Sequence, residues 1–198
     1  MNFYPPATPG KWINDGLNLY KTHFSLFLSA SVILVLLSIL SLGILLPPLA
    51  TGFARITTRL NRNDAPRPKA ADIFDGFRFF INAFLFMVFW GLVMLTAMGI
   101  LAVFPVIGQV AALFAGYCLQ ALLMFGLFLI GDKNMSFWQA SNESMAVVKT
   151  DFWPFFGVTV LAGILGGIGA IGAGIGIVLT LPIQFCIIAS AYKDLFQP

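Results

Sequence analysis

The sequence predicts an all-α fold of the membrane class: a polytopic helical bundle of about six transmembrane helices arranged as three hairpins, with interfacial amphipathic helices on the cytoplasmic face. Three observations carry that expectation. Of 198 residues, 59% are hydrophobic and 10% charged, and mean hydropathy is +0.92, whereas soluble domains carry about 25% charged residues. The apolar residues fall in blocks near the roughly 20 residues that cross a hydrocarbon core about 30 Å thick. Every charged residue lies between those blocks or at their ends, never in the middle of one.

Taken in order, the blocks are Phe24 to Leu42, Ile44 to Leu60, Phe79 to Phe104, Val106 to Ile130, Phe152 to Ala170 and Ile171 to Tyr192. The polar start, with Pro5-Pro6 in tandem, lacks the uninterrupted apolar stretch of a cleavable signal, so the first helix is expected to be retained. The second block is the weakest. From Gly43 to Arg55 is about 18 Å of helix at 1.5 Å per residue, so a full crossing requires Arg55 and Arg59 to snorkel their guanidinium groups to the interface. The other reading is a re-entrant turn broken at Pro47-Pro48, and a short full crossing is favoured over it. The links at Leu42-Gly43, Pro105 to Gly108 and Gly169 to Gly176 are short and uncharged, as tight turns at one membrane face would be.

The eleven basic residues, from Lys11 and Lys21 through the Arg55–Arg78 stretch to Lys133, Lys149 and Lys193, share one side of this topology with all eight acidic residues. Basic loops resist translocation, which predicts both termini in the cytoplasm. An odd number of spans would scatter these charges over both faces.

A weak internal repeat reinforces the hairpin reading. Ile13, Asp15, Gly16, Tyr20 and Phe24 are echoed by Ile73, Asp75, Gly76, Phe80 and Phe84, and Lys21-Thr22-His23-Phe24 by Lys149-Thr150-Asp151-Phe152. The chain reads as a single integral membrane domain, 1–198, of three hairpin repeats at about 12–60, 72–130 and 136–196. Each begins with a short interfacial segment. Parallel repeats imply a pseudo-axis along the membrane normal. In the third lead-in, Ser136 and Gln139 form a capping box, and Trp138, Ser141, Met145 and Val148 share a face. Trp153 and its neighbouring phenylalanines suit an aromatic belt.

Motifs associated with chemistry have blander explanations. Gly167 to Gly172 spells GxGxxG, yet the dinucleotide fingerprint needs a βαβ unit. The glycine-rich run instead suits close helix packing, with Gly163 and Gly167 as a GxxxG pair. No ionisable residue falls near the centre of a predicted helix, which argues against a charge-coupled transporter. His23, the only histidine, is expected to be an interface anchor, since no carboxylate or second histidine is spaced to work with it. Cys118 and Cys186 read as small hydrophobes. Asn82, Thr96, Gln109, Tyr117, Gln120, Thr159, Thr180 and Gln184 are expected to form interhelical hydrogen bonds rather than line a path, and Pro47-Pro48 and Pro182 are candidate kinks. No catalytic, cofactor-binding or metal-ligating residues are predicted. Arg55, Arg59, Arg62, Arg67 and Lys69 are expected to attract anionic lipid headgroups, with no role in nucleic-acid binding.

Several segments carry a family resemblance: Pro48-Leu49-Ala50-Thr51-Gly52, Asp72 to Phe77, Phe137 to Ser141, Val148 to Phe155 and Ala191 to Phe196. Together they resemble the uncharacterised bacterial six-helix inner-membrane proteins of the YciC-like and related domain-of-unknown-function groups, over most of the chain from about Trp12 to Phe196. The resemblance rests on packing and topology residues. It implies a cell inner-membrane location in bacteria and a six-helix bundle, and it carries over no activity. The function expected from the residues is therefore non-enzymatic: a scaffold, assembly factor or accessory subunit. Its partners would be membrane lipids and other membrane proteins or further copies of the chain. The alternative is a small carrier or channel for a neutral or lipid-like solute.

Overall fold

The computed structural model describes residues 7–104, 106–171 and 175–196, with the side chains of 167–171 and 175 outside the description. The described residues form nine α-helices and one 3-10 helix, without strands. In order these are α1 (Pro9–Thr22), α2 (Phe24–Leu40), α3 (Leu46–Arg62), the 3-10 helix (Ala70–Phe79), α4 (Phe80–Leu101), α5 (Ile107–Leu122), α6 (Gly126–Lys133), α7 (Phe137–Thr150), α8 (Phe152–Ile171) and α9 (Ile175–Phe196). Three helical stretches are long and apolar enough to cross a membrane unaided: Ala70–Leu101, Ile107–Lys133 and Gly176–Phe196. Two bent pairs, α1 with α2 and α7 with α8, raise the number to five if each is one span. The protein is a membrane helical protein.

The bends separate amphipathic from apolar helices. The axis turns by 89° between α1 and α2 and by 111° between α7 and α8, which lets α2 and α8 stand upright while α1 and α7 lie across them. His23 is the α1–α2 junction. The capping box read from sequence closes α7: Ser136 Oγ accepts from Gln139 N–H at 3.4 Å, and Gln139 Oε1 accepts from Ser136 N–H at 3.2 Å. Its buried face comprises Ala140, Ser141, Ser144, Val147 and Val148, so it is rotated from the expected one, and Trp138 is half exposed.

The second apolar block is one continuous helix. It folds as α3, which is not among the helices long and apolar enough to span, and Pro47-Pro48 open its first turn rather than break it. Proline suits that position because the first turn needs no backbone donor. Nearly all of α3 is buried, from Pro47 through Thr58 apart from Arg55. It packs against α2, the 3-10 helix, α4, α6 and α9. Hydropathy alone cannot distinguish a helix covered by protein from one covered by lipid. Thr51, Thr57 and Thr58 return their hydroxyl protons to carbonyls one turn back, so burial leaves them paired.

The fourth apolar block, expected as one helix from Val106 to Ile130, is broken between α5 and α6. The cause is Ser144 of α7. Its hydroxyl donates to Leu122 O at 2.8 Å and accepts from Phe125 N–H at 3.2 Å. A side chain inserted into the backbone ladder interrupts a helix in this way.

Each lead-in segment packs on a helix distant in sequence or from the preceding pair; α1 and α7 lie crosswise, whereas the 3-10 helix runs on into α4 as one stretch, Ala70–Leu101. α1 lies on α9, the 3-10 helix on α3, and α7 on α6. All three seats need a small side chain. A Cβ on Gly16 would sit 2.6 Å from Ile187 Cα, and one on Gly76 would sit 2.0 Å from Pro48 O. The third is Ser144, fully buried at the α5–α6 break. The offset that sets Ile73 on Ile13 sets Gly76 on Gly16, and the offset that sets Lys149 on Lys21 sets Ser144 on Gly16.

Candidate functional site

The richest polar chemistry gathers where the C-terminal ends of α3, α6 and α9 meet. α3 and α6 both end on an asparagine in the left-handed conformation, Asn63 (φ 59°) and Asn134 (φ 52°), a geometry asparagine tolerates better than most residues. Asp64 N–H then reaches back to Arg59 O at 3.0 Å, completing a Schellman-type stop. These stops turn the chain out of the apolar interior at the level where charged residues begin.

Asp132 joins the three ends. It accepts from Arg62 at 2.5 Å and from the Tyr192 hydroxyl at 2.9 Å. Asn61 donates to Ala189 O at 3.1 Å, while Lys193 donates to Asn61 O at 2.7 Å. At the outer edge Asp194 accepts from Lys11 at 2.9 Å and from Trp12 Nε1 at 2.9 Å. The Asp194 carboxylate beside Lys11 pushes that ammonium above the ordinary lysine range.

A cleft of about 500 Å³ opens beside this network, between α1, the end of α3 and the end of α9. Lys11, Asp15, His23, Asn61, Lys193 and Asp194 line it among others. A smaller pocket of about 270 Å³ shares Thr22, His23, Leu60 and Asn63 with it and adds Arg59, Asp64 and Arg67. The two form one polar groove at the charged end. Its hydroxyls are already committed: Thr22 donates to Asn18 O at 2.8 Å and Ser190 to Cys186 O at 3.0 Å. The groove presents cations, carboxylates and amides, and both of these hydroxyls donate to backbone carbonyls instead of to a base.

The five basic residues expected at headgroups divide into two classes. Arg55, at the middle of α3, donates to Gly131 O and stacks over Phe79 with its guanidinium carbon 5.2 Å from the ring centre. It therefore turns inward instead of snorkelling. It also corrects the expectation that no ionisable group lies near a helix centre. The α6 crossing permits this, since a Cβ on Gly131 would come within 3.0 Å of Arg55 Cγ. Arg59 pairs with Asp72 at 3.3 Å and donates to Pro66 O at 3.0 Å, and Arg62 pairs with Asp132. Arg67 and Lys69 are exposed and make no ion pair among the described residues.

Of the expected packing glycines, Gly163 faces α5, where its Cβ would lie 3.3 Å from the Tyr117 ring. Gly167 lies within α8, but its surroundings and the Gly172 and Gly174 turn fall outside the described residues. Thr180 bonds across helices to Gly166 O at 2.5 Å, and Thr159 approaches Met124 Sδ at 3.7 Å, while Thr96 bonds within its own helix. Asp132 and Tyr192 went unnoticed in the sequence as site residues. The available signal was a carboxylate and a tyrosine directly following apolar runs. Comparison with protein families, with characterised proteins and with solved structures yields no match for this chain.

Proposed function

We propose that this chain is a non-enzymatic scaffold or accessory subunit of the bacterial inner membrane. In this reading it has three units, each a lead-in helix followed by a helical hairpin, with the charged end and both termini in the cytoplasm. The observation that supports it is the contrast between a filled interior and an uncovered flank. α3 is buried on all sides, whereas α4 and α5 present Ile81, Leu85, Leu92, Leu95, Leu113 and Phe114 outward. That flank also carries Gln109 and Gln120, both exposed, and polar side chains of this kind hold transmembrane helices together. The six-helix resemblance and the seats at Gly16, Gly76 and Ser144 support the three-unit reading.

Co-purification from mild detergent tests the proposal. The expected result is a second membrane protein or a second copy of the chain, released when Gln120→Leu and Leu113→Ala are combined on the flank. Isolation alone and monomeric from the same membranes would overturn it. Reporter fusions near Asp64 and Gly43 should read opposite faces, and matching signals would refute the hairpins.

The carrier reading has one observation in its favour, a cleft of about 450 Å³ between α4 and α5 lined by Met94, Met98, Gly116, Tyr117 and Gln120. It faces outward, and the centre holds α3 instead of a path. Labelling of a cysteine at Gln120 by a membrane-impermeant thiol reagent would support the carrier, and protection would count against it.

A further inference from the structure

We propose that the small pocket at the α1–α2 junction, between His23, Arg59 and Arg67, binds the phosphate group of a single anionic molecule. The inference is independent of the scaffold reading, because it rests on a different end of the molecule.

The first argument is position. α1 and α2 meet at 89° on His23, and α2 begins its apolar run at Phe24. The pocket thus opens where a crosswise helix meets an upright one, which is headgroup level for a protein that spans a bilayer. The second is the donor set. Arg59 is held in place by Asp72 and by Pro66 O. A guanidinium carries five N–H groups, so a fixed Arg59 keeps donors for a ligand. Arg67 reaches the same pocket and makes no ion pair among the described residues, and Thr22, His23, Leu60, Asn63, Asp64 and Pro68 complete the lining.

The charged lining is Arg59 (itself paired with Asp72), Arg67 and one carboxylate, Asp64. Two arginines converging from α3 and from the loop that follows it favour an anion over a neutral group, and a phosphate offers oxygens enough for both guanidinium forks at once. At about 270 Å³ the pocket suits a headgroup and falls below the roughly 300–1,000 Å³ of sites that bury drug-sized ligands.

Headgroup phosphates and free phosphates share this chemistry, and the test separates them. The full chain in mild detergent is titrated with short-chain phosphatidylglycerol, diacylglycerol, glycerol 3-phosphate and inorganic phosphate. Thermal stabilisation and lipid retention in native mass spectrometry are read for each. Stabilisation by phosphatidylglycerol alone identifies a lipid source, and stabilisation by either small phosphate identifies a soluble one. Arg67→Gln should weaken binding about tenfold, the scale of one lost charge-assisted hydrogen bond, with Arg67→Lys recovering part of the loss. Lys149→Gln, which removes an exposed charge on α7 away from the pocket, should bind as the parent does. Equal loss in Arg67→Gln and Lys149→Gln, equal binding of diacylglycerol, or no response to any phosphate would overturn the proposal.

Discussion

A methyl group added at Gly52 would lie 1.9 Å from the Ile73 carbonyl oxygen, whereas one added at Gly91 or Gly99 would meet nothing within 4 Å. All three glycines are helical, in α3 and α4 respectively. The difference separates a region where backbones touch from one where helices stand loosely. Around α3, small residues allow the 3-10 helix to approach closely, and Phe27, Leu49, Phe53, Ile56 and Ile73 fill the remaining space. Along α4, only Ala83 and Phe86 are buried. Close-packed interiors transmit small changes in volume, and uncovered surfaces absorb them. The chain thus has a rigid part at α3, α6 and α9 and a flank, α4–α5, whose surface is left for lipid or partner.

The largest effect should come from attacking that contrast where it is sharpest. Gly52→Val or Gly76→Val places side-chain atoms inside a neighbouring backbone. We expect a loss of more than about 3 kcal/mol, beyond ordinary overpacking, seen as failure to isolate folded protein or as early unfolding in sodium dodecyl sulfate titration. A parent-like transition in either variant would refute the close approach.

Ser144→Ala is next. It removes the hydroxyl that accepts from Phe125 N–H and donates to Leu122 O, leaving a buried donor unpaired at a cost of about 1–3 kcal/mol. Backbone amide exchange at Phe125 should accelerate, and unchanged exchange would show that the helix break stands without the serine.

Gly91→Ala and Gly99→Ala meet open space within α4 and should be neutral or stabilising by up to about 1 kcal/mol, since alanine suits a helix interior better than glycine. A large loss at either site in native membranes, absent in detergent, would sharpen the comparison by revealing a partner on the flank.

The smallest effect is at the chain ends. Lys11 is raised by Asp194, so their pairing is present throughout neutral pH and fades only as pH rises through the raised lysine value. Because Lys11 is exposed, Lys11→Met should leave the unfolding transition unmoved near pH 7. A clear destabilisation there would mean that the α1–α9 contact depends on this charge.

What was legible in the sequence depended on how local its cause was. Ser136 and Gln139 lie three residues apart, and their box forms as read. The turn at Leu42-Gly43 follows from two positive φ values, 51° and 87°, which the glycine and the end of the apolar run foreshadow. The α5–α6 break was not legible because its cause, Ser144, lies about twenty residues away and acts only once α7 has docked. Arg55 was misread for a similar reason: its acceptor, Gly131 O, belongs to another helix. The charged end could be located from the arginine-rich loop, but the joining role of Asp132 required knowledge of three helix ends at once. Burial around α3 escaped because Thr51, Thr57 and Thr58 lower its hydropathy while satisfying themselves internally.

The seat of α1 on α9 also dictates an order of events during synthesis. Gly16 is made well before Ile187, the backbone it rests on. Domains generally take shape from the N-terminus as the chain emerges, but here α1 lacks its main seat until α9 has been made. Until then its apolar face, with Trp12 and Gly16 on it, is one that a bilayer surface can shelter. Completion of α9 is then what locks α1.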